Sequence, residues 1–283
     1  MGVTRRTLEK KKSQGEKIAM VTAYDFPAAK IAEEAGAEIL LVGDSLGMVV
    51  LGYESTIPVT LDDMLHHTKA VTRATKQSMV IADLPFLTAH LPTMEVLKSA
   101  GKLMQEGLAY GVKIEGGEPV LDKIRTLTDA GIPVMGHLGL TPQSVNQLGG
   151  YIIQGKEEPT VKRLLSEAKA VEEAGAFGLV LECVPEELAE EITKSLSIPV
   201  IGIGAGRYTD GQVLVLHDLL GMGGEWSPSF VKRFASVGDT MKNGLEKYVS
   251  EVKNKTFPTE EHVIHLREEV KLALYGGRGN GTS

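Results

Sequence analysis

The 283-residue sequence predicts a single (β/α)8 barrel domain, because such barrels reach about 250 residues around one core. Three observations carry the prediction. Eight short apolar runs alternate with longer amphipathic stretches, and glycine and proline punctuate every crossover with no cluster that would mark a linker. Most of the runs also end on an acid or a histidine. An open, doubly wound sheet is the structural alternative.

The runs are IAMVTAY at 18–24, EILLVG at 38–43, SMVIA at 78–82, YGVKI at 110–114, IPVMG at 132–136, FGLVL at 177–181, IPVIGIG at 198–204 and VLVLH at 213–217. They are too short for helices and rich in Val and Ile, so they read as parallel strands covered on both faces. Helix ends agree with this phasing. EEAGA at 33–37 and 172–176, and DAGIP at 129–133, each put Gly where a left-handed cap is wanted before the next strand. Thr60 ahead of LDDM is an N-cap followed by first-turn acids, and Pro92 and Pro185 sit near helix starts, where a missing N–H costs nothing. Residues 4–16 mix Arg5, Arg6, Lys10, Lys11 and Lys12 with Glu9 and Glu16, which predicts a solvated helix across the barrel bottom. The eighth unit has the weakest pattern: residues 218–229 lead to a final helix expected from about Phe230 to Lys253. The tail, about 266–283 and ending GGRGNGTS, is expected to be flexible.

Apolar residues at 42%, charged residues at 24% and a mean hydropathy of -0.01 describe a soluble globular chain. Thirty Lys and Arg against 37 Asp and Glu leave a net charge of -7, which argues against a nucleic-acid partner. The longest charge-free window, 130–155, holds Pro133, His137, Pro142 and Asn146 and is too polar for a membrane span. The first residues contain no apolar signal segment and Cys183 is the only cysteine, so a cytoplasmic, disulfide-free protein is expected.

At or just past the ends of the runs stand Asp25, Asp44, Asp83, Glu115, His137, Glu182 and Asp218. A parallel barrel delivers all strand ends to one face, where such folds keep their chemistry. Carboxylates crowded there raise one another's pKa unless a cation compensates, and only Lys113 and His137 are at hand. A divalent metal resolves the conflict. Oxygen donors without a Cys or His cluster favour Mg²⁺, with Asp44, Asp83 and Glu115 on neighbouring strands as the expected ligands. Any one of these acids could instead serve as an Asx turn or helix cap. Period two puts Lys113 and Glu115 on the same side of their strand. Glu182, two strands further round, suits a general base, and His137 reads as a donor or a satisfied rim histidine. GIGAG at 202–206 reads as a tight turn more readily than as a phosphate loop, adjacent His66 and His67 cannot converge on one ligand, and His262 with His265 lacks a third. Cys183 reads as a small buried residue.

The segments TAYD (22–25), VGDSLGMV (42–49), ADLPF (82–86), KIEGG (113–117), GHLGLTPQSV (136–145), LECVP (181–185) and IPVIGIGAG (198–206) resemble the ketopantoate hydroxymethyltransferase family over roughly residues 17–265. The resemblance implies a cytoplasmic (β/α)8 homo-oligomer, a decamer. It would make 2-dehydropantoate from 3-methyl-2-oxobutanoate and 5,10-methylenetetrahydrofolate, towards pantothenate and coenzyme A. It further implies one Mg²⁺ on Asp44, Asp83 and Glu115, a keto-acid site of Asp44, Ser45, Asp83 and Lys113, and Glu182 as proton acceptor. His137 is a candidate substrate contact, and Tyr24 is left without a role. Two other readings stand beside it: a Mg²⁺-dependent carbon-carbon lyase of the isocitrate lyase and phosphoenolpyruvate mutase type, and a non-catalytic metabolite-binding barrel.

Overall fold

The computed structural model describes residues 2–223 and 227–276. It divides into two compact units, residues 1–235 and 236–283. The first contains, in order, α1 (Arg5–Gln14), β1 (Ile18–Thr22), α2 (Phe26–Glu34), β2 (Ile39–Val42), α3 (Leu46–Val49), α4 (Leu61–Ala74), β3 (Met79–Asp83), α5 (Thr93–Gln105), β4 (Gly111–Glu115) and α6 (Leu121–Asp129). Then come β5 (Val134–Gly139), α7 (Val145–Leu148), α8 (Glu158–Glu173), β6 (Gly178–Glu182), α9 (Glu186–Ser195), β7 (Val200–Ile203), β8 (Gly211–Leu214) and α10 (Leu216–Leu219). The strands are all parallel and close into a barrel in sequence order, with β8 pairing back onto β1. The predicted (β/α)8 architecture is the one observed.

Alternation along each strand separates two cores. One face, with Leu40, Val80, Val112, Ile114, Leu179 and Val200, packs against the surrounding helices. The other fills the barrel with Ile18, Met20, Ile39, Leu41, Met79, Ile81, Met135, Val180, Ile201 and Val213. Leu8 of α1 joins this inner cluster at 1% exposure, a burial that contributes about 2 kcal/mol. The N-terminal helix is thus a plug. Lys12 reinforces it by donating to Asp210 Oδ2 at 2.7 Å and to the Thr193 carbonyl at 2.9 Å.

Caps fall where the residue types predict them. Thr60 and Asp63 form a reciprocal capping box on α4, and Pro92 and Pro185 stand immediately before α5 and α9. Gly36, Gly131 and Gly175 take φ of 92°, 83° and 99°. The eighth strand differs from expectation: it spans Gly211–Leu214, not 213–217. Gly211 pairs with both Ile18 and Ile201, and a Cβ there would collide with the Ile18 carbonyl oxygen, so the closest approach of β8 to its neighbours lies earlier than the Val-Leu run suggests. The final helix also starts late. Phe230 is not helical, and a Cβ on Gly204 would meet its ring at 2.8 Å, so it packs over the end of β7.

The second unit contains α11 (Val237–Lys253) and α12 (Glu268–Tyr275), with a small aromatic cluster in which Phe257 lies 5.8 Å from Tyr248 and 5.1 Å from His262. The first part of the tail expected to be flexible is therefore helical, and its end from residue 277 falls outside the described residues. Among the described residues no helix is long and apolar enough to cross a membrane.

Carboxylates pin the N-terminal ends of the strands. Glu33 accepts main-chain N–H bonds from Lys76, Gln77 and Ser78 ahead of β3. Glu172 does the same ahead of β7, accepting from Ser197 N at 2.6 Å, Ser197 Oγ at 2.7 Å and Ile198 N at 3.2 Å, with Lys169 Nζ at 2.6 Å. Burial alone would raise the Glu172 pKa, but these donors bring it from 4.5 down to about 2. A carboxylate depressed in the folded state stabilises fully above its unfolded pKa, and that contribution fades as pH falls through the folded value. Glu172→Gln is therefore expected to cost about 2–3 kcal/mol at pH 7, with the gap from wild type closing between pH 4.5 and 2. Urea unfolding of both proteins across that range is the measurement.

Candidate active site

The register of the barrel assembles the C-terminal rim. Asp83 on β3 pairs with Lys113 on β4, Glu115 with His137 on β5, and Glu182 on β6 with Gly139. Asp44 follows β2 by two residues, and its N–H donates to Asp83 Oδ2 at 3.1 Å. Asp44, Asp83, Lys113, Glu115 and His137 are all at most 7% exposed. Gly43 leaves room for the Ser45 side chain, since a Cβ there would stand 2.8 Å from Ser45 Oγ.

Lys113 is central to the cluster. Its Nζ lies 3.2 Å from Asp83 Oδ1, 3.5 Å from Glu115 Oε1 and 3.0 Å from His137 Nδ1. Burial would lower its pKa, but Asp83, Glu115 and Asp44 outweigh burial and raise it, so the ammonium stays charged. Glu115 would be raised by burial and is held low chiefly by Lys113, with His137 and Gln143 adding to it. Asp44 moves the other way: burial and then the charges of Glu115 and Asp83 push it well above the usual carboxylate range. Asp83 is also raised by burial, despite Lys113. The cluster holds more acid than one ammonium can balance.

A charged Lys113 at 3.0 Å from His137 Nδ1 needs the lone pair of that nitrogen, which leaves the ring proton on Nε2, 3.2 Å from Glu182 Oε2. Burial and Lys113 lower the His137 pKa, while Glu115 and Glu182 raise it and prevail, to about 9. The 3.0 Å contact decides for the neutral ring, since a second proton requires Lys113 to move away. Among the described residues, two buried atoms at the site have only a charged neighbour out of hydrogen-bond alignment: Asp83 Oδ1, 3.2 Å from Lys113 Nζ, and His137 Nε2, 3.2 Å from Glu182 Oε2.

Two residues without an expected role belong to the same constellation. Gln143, in the connection after β5, donates from Nε2 to Asp44 Oδ2 at 2.8 Å and to the Leu84 carbonyl at 2.9 Å, and from its main-chain N to Glu115 Oε2 at 3.1 Å. Its only signal in the sequence was its place in TPQSV just past a strand end, and an uncharged side chain draws no attention in a search for ligands and bases. Tyr24 is 2% exposed and its hydroxyl lies 2.9 Å from Ser45 Oγ. Burial raises the Tyr24 pKa, so the phenol keeps its proton.

Other candidates fall away from the cluster. Asp25 is exposed and caps α2 by accepting from Ala28 N at 2.8 Å, because the chain turns into a helix directly after β1. Asp218 lies on α10, half-buried beside His217. The GIGAG segment is a tight turn, with Gly204 and Gly206 at φ of 61° and 75°. It faces an acid, since the Arg207 N–H is bound by Glu186 Oε2 at 2.9 Å. His67 donates from Nδ1 to the Tyr24 carbonyl at 2.6 Å, and His262 and His265 are exposed. Burial and Glu182 push the Cys183 thiol up to about 12, out of the nucleophilic range. Asp44, Asp83 and Glu115 do gather in one buried cluster, yet among the described residues no three His, Cys, Asp or Glu side chains already stand together as a metal-holding set. Glu115 is taken up by Lys113 and Gln143.

Comparison with known proteins gives two layers of likeness. The family model of ketopantoate hydroxymethyltransferase matches residues 2–260. The 3-methyl-2-oxobutanoate hydroxymethyltransferase of Bacillus cereus (strain G9842) is 54% identical over 275 residues, covering 97% of this chain and 99% of its own. That of Carboxydothermus hydrogenoformans is 55% identical over 273 residues, covering 96% and 99%. Among solved structures, phosphonopyruvate hydrolase in complex with oxalate and Mg²⁺ superposes with a TM-score of 0.60 at 12% identity, covering 97% of this chain and 98% of its own. For 2,3-dimethylmalate lyase the values are 0.56 and 17%, covering 98% and 100%. At those identities only the barrel is shared, whereas the match to the transferases runs through the strand-end motifs that build the site: the chain belongs to the ketopantoate hydroxymethyltransferase family.

Proposed function

We propose that the acid cluster at the barrel mouth enolises 3-methyl-2-oxobutanoate and directs its C3 onto the one-carbon unit of 5,10-methylenetetrahydrofolate. Membership of the family makes the chain a hydroxymethyltransferase acting on that keto acid, in pantothenate biosynthesis. The lyase alternative loses its ground, because the lyase-like neighbours are similar in fold alone. The observation that carries the reading is the surplus of buried carboxyl around a single charged Lys113.

A divalent cation fits that surplus. Asp44 is pushed towards its protonated form by burial and by the neighbouring acids, Asp83 Oδ1 has, among the described residues, only the Lys113 ammonium beside it at 3.2 Å, and the donors are hard oxygens suited to Mg²⁺. Asp44 and Asp83 would hold it, with Glu115 completing the set. Bound there, it would supply Lewis-acid polarisation of the keto-acid carbonyl.

The remaining chemistry belongs to this chain's side chains. Lys113 keeps its proton, which removes it as the base and suits it to hold the negative charge that develops on the substrate oxygen. Glu182 is the proton acceptor from C3, with His137 Nε2 standing 3.2 Å from its Oε2. Ser45, anchored by the Tyr24 hydroxyl, presents its own hydroxyl to the keto acid's carboxylate. Burial of Asp44, Asp83, Lys113, Glu115 and His137 limits the water that could quench the enolate.

Wild-type protein given the keto acid is expected to exchange deuterium at C3 and, with methylenetetrahydrofolate, to turn over. A chelator or Asp83→Ala should stop both, and full exchange under either condition counts decisively against the metal reading. Glu182→Gln should leave keto-acid binding intact and lower turnover by about 10²- to 10⁴-fold; an equal collapse of binding would make Glu182 structural. Lys113→Met, in chelator, should lose about 3–5 kcal/mol of stability in urea because it strands buried carboxylates.

A further inference from the structure

Among the described residues Gln143 holds two candidate cation ligands, one through its side chain and one through its main chain. Its amide fixes Asp44 by Oδ2, and its main-chain N–H fixes Glu115 by Oε2. The same amide bonds the Leu84 carbonyl, immediately after Asp83. Asp83 Oδ2 is meanwhile held by the Asp44 N–H. One oxygen of Asp44 is thereby engaged and its Oδ1 is left for a further partner, whereas Asp83 Oδ1 faces Lys113 Nζ at 3.2 Å.

An amide suits this position for an electrostatic reason. A third carboxylate against Asp44 would deepen the repulsion already there, and a Lys or Arg would cancel the surplus charge that a cation needs. An N–H dipole orients the aspartate and leaves its charge intact. Losing a group that orients a ligand in this way typically costs about 10- to 100-fold in metal affinity.

The position also ties the chain over the mouth to the ligands. The connection between β5 and α8 carries Gln143 on Asp44 and Glu115, Tyr151, whose hydroxyl lies 3.5 Å from Met48 Sδ, and Gln154, whose N–H donates to the Cys183 carbonyl at 2.9 Å. These contacts reach the segments that follow β2, β4 and β6, so the connection spans the mouth from the Asp44 side to the Glu182 side.

Building on the cation site proposed above, we infer that Gln143 is a positioning residue that presets Asp44, beside Asp83, to receive a divalent cation. Gln143→Met keeps the volume and removes the donor. The test is binding of Mn²⁺ alone to the full-length protein, followed by the electron paramagnetic resonance signal of free Mn²⁺. Gln143→Met should weaken binding by roughly 10- to 100-fold, while at saturating metal its kcat stays within a few-fold of wild type and its KM for the keto acid rises. Gln147→Met, the same change at an exposed position of the same connection, should bind as wild type does. If Gln143→Met fails to fold, Gln143→Asn, which withdraws the amide by one methylene, carries the same expectation. Wild-type Mn²⁺ affinity in a folded Gln143 variant overturns this inference and leaves the cation site standing. A wild-type protein that takes no Mn²⁺ overturns the site and the inference together.

Discussion

A buried ammonium holds this structure's chemistry together. Lys113 sits inside a closed barrel, where an unpaired charge would cost several kcal/mol, and it is tolerated because Asp83 and Glu115 flank it at 3.2 and 3.5 Å. The dependence is mutual. Without Lys113 these carboxyls would have to take up protons, and with it Glu115 stays ionised while Asp44 and Asp83 remain under-compensated. The fold thus gathers more buried carboxyl groups than the one ammonium facing them can balance, and the parallel register that pairs Asp83 with Lys113 and Glu115 with His137 is what brings these groups together.

Carboxylates at the two ends of the barrel do different work because they meet different numbers of donors. At the strand entrances Glu33 and Glu172 are saturated by main-chain N–H groups, which suits them to hold chain segments in place. At the strand exits Asp44, Asp83, Glu115 and Glu182 share a few donors among several acids. Saturation stabilises a segment, and deficiency leaves capacity for a ligand. That contrast separates the supporting acids from the reactive ones more clearly than burial does.

The same barrel in phosphonopyruvate hydrolase and 2,3-dimethylmalate lyase shows that the architecture does not choose the reaction. What distinguishes this chain is the set of residues that the strand-end segments deliver, including neutral ones. Gln143 and Tyr24 add no charge, yet they orient Asp44 and Ser45.

Much of this was legible in the order of residues alone. Runs of Val and Ile buried on both faces fix strand number and direction, glycines and prolines fix the turns, and strands that all point one way make an acid at each strand end a rim acid. Local pattern therefore determined the barrel, and with it the gathering of Asp44, Asp83, Lys113, Glu115, His137 and Glu182. Packing alone decided the rest. Asp25 and Asp83 both close apolar runs, but the first caps α2 and the second faces Lys113, because only the geometry after each strand determines whether a main-chain N–H or another side chain is nearer. The start of β8 followed from how closely Gly211 approaches Ile18, a contact between residues far apart in the chain. The hydrogen bonds of Gln143 join residues 28 and 99 positions away, and no short-range pattern encodes a partner at that distance.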